Sequence, residues 1–173
     1  AQVERKLADT LGVERFLWLD QGELSGDDTD AHIDILARFT DPHTIVYASA
    51  PPGDPDHESL RGMYEQLRTF TDADGQPYRL RELPFPGAHF GSDGRRRPAG
   101  YANFLVINHA VLLPVYGVTA DAEAERLLQD CFPGRRITSI DCRPVIEQNG
   151  SLHCLTMQFP AAVGLFNGVD AIA

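Results

Sequence analysis

The chain has 173 residues, of which 43% are hydrophobic and 23% are charged, as expected of a folded domain with a buried core. It contains 15 Lys and Arg against 25 Asp and Glu, a net charge of -10 that disfavours a nucleic-acid partner. No apolar run approaches the roughly 20 residues of a membrane span. Since no signal peptide opens the chain either, we expect a cytoplasmic protein without a membrane partner.

Hydrophobic spacing predicts three helices and a series of strands. The first helix covers residues 2–11 and ends at Gly12, the second begins after a capping Asp56 and runs to Phe70, and the third covers 120–130. Strands are predicted over 13–19, 32–39, 44–49, 78–83 and 137–140, with a hairpin over 102–113 that turns at Asn108–His109.

The order of these elements predicts an α/β fold with mixed rather than purely parallel sheets. The succession strand, strand, helix, strand occurs once over residues 32–83 and roughly again over 102–140. No exact sequence repeat accompanies it, yet the recurrence indicates a repeated structural unit.

The acidic segment 26–34, Gly-Asp-Asp-Thr-Asp-Ala-His-Ile-Asp, contains the first candidate functional residues. On a strand, His32 and Asp34 would share one face and could supply a general base and an anionic wall for a cationic substrate. An ordinary solvated strand face is the alternative. A metal site made by Asp30, His32 and Asp34 is a second alternative, which lacks another histidine at a recognisable ligand spacing.

The three cysteines are Cys131, Cys142 and Cys154, an odd number without a C-x-x-C pair. This pattern argues against a disulfide framework or a zinc knuckle and favours a reducing compartment. We interpret Cys131 and Cys142 as small buried hydrophobes.

Cys154 follows the turn Asn149–Gly150 and has a second interpretation. If Ser151 caps a short helix, the thiol lies in its first turn, where the helix dipole favours the nucleophilic thiolate. A buried core cysteine remains the alternative. In an extended segment, the neighbouring His153 would point away from Cys154.

Taken together, these segments resemble a known family. Residues 26–39, GDDTDAHIDILARF, resemble the DDTDGHID-type signature of agmatine deiminases and related bacterial peptidylarginine deiminases, and 150–158, GSLHCLTMQ, resemble that family's catalytic-cysteine segment. Residues 101–105 and 111–117 fit its pattern in the same order, so the likeness extends from about Val3 to Pro160. Asn149 stands where the family usually has glycine.

The resemblance implies a guanidine-modifying α/β-propeller, in which five ββαβ-like units surround a central site. It also implies hydrolysis of a guanidinium to a ureido group and ammonia, without a metal or another cofactor. Cys154 would attack the guanidinium carbon to give a covalent thiouronium, and His32 would protonate the leaving ammonia and then activate water. Asp34 would hold the guanidinium by paired hydrogen bonds, and Asp30 would assist in substrate binding.

The resemblance further implies that residues 1–160 are the C-terminal portion of a catalytic domain, whose other acidic substrate ligands lie in a preceding half. We therefore expect association with that half or with a second copy, because a separated part of a propeller exposes sheet edges and apolar surface. Residues 161–173 match nothing in the family. Agmatine, giving N-carbamoylputrescine, is the favoured substrate. The alternatives are an arginine or peptidylarginine deiminase, an amidinotransferase of the same superfamily, and a noncatalytic binding half-module.

Overall fold

The computed structural model describes residues 2–27 and 32–160. Helix α1 is Gln2–Leu11. It is terminated by the next residue, Gly12, whose φ of +67° is accessible to glycine at little cost. The predictions made for Asp30 and for residues 161–173 lie outside the described residues. Within the described ranges, no helix is long and apolar enough to cross a bilayer.

The first sheet is a ββαβ unit. Strand β1, Ala37–Asp41, pairs antiparallel with β2, Thr44–Tyr47, and β2 pairs parallel with β3, Arg79–Glu82. Helix α2, His57–Leu67, makes the crossover between β2 and β3. Its apolar face packs on the sheet. Together they form a first hydrophobic core, to which the helix contributes Leu60, Met63 and Leu67.

A short antiparallel hairpin, β4 (His89–Phe90) and β5 (Arg96–Arg97), connects to a second ββαβ unit. Here β6, Leu105–Val106, pairs antiparallel with β7, Ala110–Val115, which pairs parallel with β8, Arg136–Asp141. Helix α3, Ala120–Cys131, makes this crossover and buries Ala124 and Leu128. The mixed α/β class and the repeated unit are thus confirmed, whereas the five-unit ring stays a prediction.

The strand predicted over 13–19 is wrong, since these residues form neither helix nor strand. Their backbone is bound by a helix side chain instead of by a neighbouring strand. The Gln66 carboxamide of α2 accepts from the Asp20 backbone N–H at 2.9 Å and donates to the Trp18 carbonyl at 2.9 Å. An apolar run therefore lies along α2 without joining a sheet, and Trp18 stays 51% exposed.

The predicted strand 32–39 is wrong in its first half. Residues Ile33–Ile35 form a 3-10 turn, and the strand begins only at Ala37. Ile33 is 54% exposed, whereas Ile35, Leu36 and Ala37 are all buried, which contradicts the alternation of a strand. His32 and Asp34 therefore do not share a strand face.

Asp56 stands immediately before α2, as predicted, but its side chain does not cap the helix. Its carboxylate accepts a hydrogen bond from the Ser25 backbone N–H at 2.9 Å and forms an ion pair with Arg96 at 3.1 Å. Asp56 consequently ties the first unit to the β4–β5 hairpin rather than satisfying the helix terminus.

We expect Leu128→Ala to destabilise the protein by about 2–5 kcal/mol, because Leu128 is fully buried between α3 and the second sheet and its truncation leaves a cavity. Arg126→Ala, on the exposed face of the same helix, should change the free energy of unfolding by only about 0.5 kcal/mol. Urea unfolding followed by circular dichroism measures both. Equal effects of the two variants would contradict this packing.

Candidate active site

Three short 3-10 turns meet at one place in the structure. They are Ile33–Ile35 just before β1, Tyr101–Asn103 just before β6, and His153–Leu155 beyond β8. Asp34, Asn103 and the pair His153–Cys154 lie on these turns. The fold thus brings together side chains as many as 120 positions apart in sequence.

Asn103 is fully buried at the centre of this group. Its amide Nδ2 donates to Asp34 Oδ2 at 3.1 Å and approaches Cys154 Sγ at 3.4 Å. Its carbonyl Oδ1 accepts from the backbone N–H of His153 at 2.8 Å and from that of Cys154 at 3.4 Å. One carboxamide therefore fixes both the carboxylate and the turn that carries the thiol.

Cys154 is exposed and its Sγ lies 3.7 Å from Asp34 Oδ2, so a thiol and a carboxylate share one surface. The predicted capping role of Ser151 is wrong. Its buried hydroxyl bonds the Tyr116 hydroxyl at 3.1 Å, and Leu152 precedes the three-residue turn. A turn of this length gives no basis for activating the thiol through a helix dipole.

His153 contacts the site, contrary to the orientation expected of an extended segment. Its Nδ1–H donates to Asp34 Oδ2 at 2.7 Å, with the His153 side chain 28% exposed and that of Asp34 18% exposed. Burial alone raises the pKa of Asp34. The hydrogen bond and charge of His153, the Asn103 amide and the charge of Arg38 together outweigh burial, so the pKa of Asp34 lies below its ordinary value.

The hydrogen bonds that Asn103 and His153 donate to Asp34 both reach the same oxygen, Oδ2. Among the described residues, no hydrogen bond reaches the other oxygen, Oδ1. That oxygen can accept from a ligand, and the paired arrangement that the resemblance implies stays a prediction.

The turn before Cys154 explains the departure from the family's usual glycine. Asn149 has a φ of +65°, a left-handed conformation that favours glycine and that asparagine tolerates. Arg97 on β5 donates to the Asn149 side-chain carbonyl at 3.1 Å. A Cβ at Gly150 would lie 3.3 Å from Cys154 Cβ, a tight contact that a side chain could occupy only if the Cys154 turn shifted slightly.

The structure places His32 immediately before the Ile33–Ile35 turn, two residues from Asp34 and exposed. No hydrogen bond within the described ranges involves its imidazole, so its predicted role stays a prediction. The metal alternative gains no support from the described residues, whose one group of three clustered metal-ligand side chains is His43, Asp72 and Asp74, outside this site.

Cys131 and Cys142 are partly and fully buried, and burial raises the pKa of each thiol above its ordinary value. Their interpretation as packing residues is confirmed. The sequence patterns indicate no role for Asn103 and place His153 outside the site. A polar Asn103 amid the apolar residues 101–106 was the available signal, because a buried amide requires partners.

The chain matches a known protein family over nearly its whole length. The profile of the Porphyromonas-type peptidyl-arginine deiminase family matches residues 1–160. A Yersinia pseudotuberculosis protein provisionally named an agmatine deiminase is 32% identical over 179 residues, an alignment that covers 94% of this chain and 49% of that protein. The chain thus spans about half the length of the curated relatives it matches.

Solved structures show the same relationship. A Porphyromonas gingivalis structure provisionally named an arginine deiminase is 49% identical with a TM-score of 0.88, over 92% of this chain and 47% of that one. An agmatine deiminase from C. jejuni, solved with substrate bound, is 37% identical with a TM-score of 0.80, over 88% of this chain and 44% of that one.

We expect His153→Leu to raise the pKa of Asp34, because it removes a hydrogen bond and a charge that favour the carboxylate. The carboxyl ¹³C titration of Asp34, identified by its loss in Asp34→Asn, measures this shift. His109→Leu, on the exposed β6–β7 turn, serves as the matched control and should leave the titration unchanged. An unshifted midpoint in His153→Leu would show that the imidazole does not act on Asp34.

Proposed function

The chain belongs to the Porphyromonas-type peptidyl-arginine deiminase family, and on this basis we propose that its protein is a guanidine deiminase with Cys154 as nucleophile. The observation that carries the proposal is the approach of Cys154 Sγ to Asp34 Oδ2, 3.7 Å apart, with the Asn103 amide near both atoms. A carboxylate that stays ionised beside a nucleophilic sulfur suits a planar cationic carbon centre.

The substrate guanidinium binds with its N–H groups at Asp34 Oδ1, which accepts no hydrogen bond from the described residues. Since Oδ2 is already bonded to His153 and Asn103, it acts as the fixed end of the carboxylate. A cation held at Oδ1 lies beside Cys154 Sγ, because the sulfur contacts the same carboxyl group. Asp30 assists from the acidic segment that precedes this turn.

The reaction proceeds in two halves. The Cys154 thiolate forms a bond to the guanidinium carbon, and one C–N bond breaks as His32 gives a proton to the leaving nitrogen, which departs as ammonia. His32 then takes a proton from water, the hydroxide adds to the thiouronium carbon, and the C–S bond breaks. As the C–S bond breaks, the new hydroxyl group loses its proton to solvent, where the released ammonia takes it up. The products are a ureido compound, ammonium and the regenerated thiolate, with no metal required.

Agmatine is the substrate we favour, and N-carbamoylputrescine is its product. The relatives named or provisionally named agmatine deiminases support this choice. Arginine or a peptidylarginine is a second candidate, favoured by the family's description and by 49% identity to the Porphyromonas gingivalis structure. The two candidates differ in whether the site must accommodate a carboxylate or a peptide beside the guanidinium.

We further propose that the two ββαβ units belong to a five-unit ring in a cytoplasmic enzyme. In that ring, additional acidic ligands for the cation come from units beyond this chain. The two units described here supply Asp34, Asn103 and Cys154, and the chain's net charge of -10 is compatible with a cationic substrate. Ammonia and ureido release should therefore be measured on the complete gene product that contains this sequence.

We expect Cys154→Ala to reduce ureido and ammonia release from agmatine by about 10⁴-fold or more without unfolding the protein, because the covalent route is lost. Cys131→Ala is the matched control, since this partly buried thiol lies outside the site, and it should retain activity. Colorimetric detection of the ureido product, alongside arginine and a peptidylarginine, measures the activity. Turnover retained in Cys154→Ala would reject the proposed mechanism.

We expect His32→Gln to lower turnover about 10²–10⁴-fold, the usual loss on removing a general acid and base. His109→Gln, a change at another exposed imidazole, should leave turnover unchanged. Steady-state rates across pH, with thermal unfolding as a check on the fold, compare the two variants. Normal rates in His32→Gln would exclude His32 from proton transfer and direct attention to His153, which already contacts Asp34.

A further inference from the structure

Arg38 is a half-buried cation next to the site, and the proposed reaction assigns it no role. It lies on β1, four residues after Asp34. Its Nη1 donates to the backbone carbonyls of Phe104 at 2.9 Å and Ala102 at 3.3 Å, the residues on either side of Asn103. Its guanidinium carbon also stands 4.7 Å from the centre of the Phe104 ring. One side chain of the first ββαβ unit thus holds the second unit's turn on both sides of Asn103.

The charge of Arg38 has a second effect at the same site. The titratable and charged groups facing Asp34 from the described elements are Arg38, His153 and Cys154. Burial raises the pKa of Asp34. The fixed positive charge of Arg38 acts in the opposite direction, and with His153 and Asn103 it holds this pKa below its ordinary value. The arginine itself stays charged at any physiological pH.

Arg38 uses a charged group to bind two neutral carbonyl groups. Bringing a guanidinium partly out of water costs free energy, and the described residues provide no carboxylate in direct contact with Arg38. A neutral amide could donate to the same carbonyls at a lower desolvation cost. An electrostatic interaction with Asp34, which lies beyond direct contact, offsets part of that cost.

We propose that Arg38 is a positioning residue for the active site, which fastens the turn of Asn103 through its two flanking carbonyls and places a permanent positive charge beside the carboxylate of Asp34. It does not touch the substrate. It acts through Asn103, which binds the Cys154 turn, and through Asp34, which binds the cation. The inference rests on the proposed function for the reaction that it serves, while its electrostatic part can be measured without substrate.

Three variants in the complete gene product separate the charge from the hydrogen bonds. Arg38→Gln retains a donor without charge, Arg38→Lys retains charge and donors on a flexible stem, and Arg38→Met retains neither. Arg79→Gln, on β3 with a side chain that is 72% exposed, is the matched control. The readouts are the carboxyl ¹³C titration of Asp34 in the unliganded protein, kcat and KM for guanidine hydrolysis, and thermal unfolding.

We expect Arg38→Gln and Arg38→Met to move the Asp34 midpoint to higher pH and to lower kcat about tenfold or more, since small displacements of catalytic groups are costly. Arg38→Lys should restore the midpoint and part of kcat, and Arg79→Gln should match the parent protein. A merely structural role would lower thermal stability and leave the midpoint in place. A folded Arg38→Gln protein with the parent's midpoint therefore overturns the inference.

If the uncharged variants fail to fold, the inference is tested by the Asp34 midpoint and the turnover of Arg38→Lys. The parent's midpoint with partial turnover supports the inference, and a raised midpoint in this charged variant overturns it. The proposed function can fail separately. If the parent protein hydrolyses no guanidine, the deiminase assignment is lost, yet the unliganded titration of Asp34 still decides for or against Arg38.

Discussion

The buried carboxamide of Asn103 is the constraint on which the site depends. It has no exposure to water, so its amide and carbonyl must both find partners within the protein, at a cost of about 1–3 kcal/mol for each one left unpaired. The partners that it finds belong to two other turns, those of Asp34 and of Cys154. The hydrogen bonds of the Asn103 carboxamide therefore set the position of the Asp34 carboxylate relative to the Cys154 sulfur.

The repeated fold explains why these turns meet. In each ββαβ unit a 3-10 turn precedes the first strand, and it carries Asp34 before β1 and Asn103 before β6. Asp34 and Asn103 thus occupy comparable positions in two similar units, and Asn103 donates a hydrogen bond to Asp34. Cys154, the proposed nucleophile, comes from a third turn, beyond both sheets.

Most of the regular structure could be predicted because its signals are local. The periodicity of α3 and the hairpin at Asn108–His109 each depend on residues close in sequence, as does the succession of strands and helices. The segment 13–19 could not be predicted, because its backbone is bound by the distant Gln66. The turn at 33–35 was missed for a similar reason. Its apolar residues are compatible with either a strand or a turn, and tertiary packing determines which of the two forms.

The same distinction between local signals and long-range contacts applies to the residues of the site. Cys154 and Asp34 could be identified from motifs, whereas the roles of Asn103 and His153 depend on contacts across 51 and 119 positions. Asn103 and His153 also both donate to one oxygen of Asp34, so the hydrogen bonds from the described residues hold the carboxylate on one side. In the proposed reaction the guanidinium binds at the other oxygen, Oδ1, which accepts no hydrogen bond from the described residues. Its orientation relative to Cys154 is consequently set by the protein's internal hydrogen bonds, and the incoming cation does not have to pay the entropy of ordering the carboxylate.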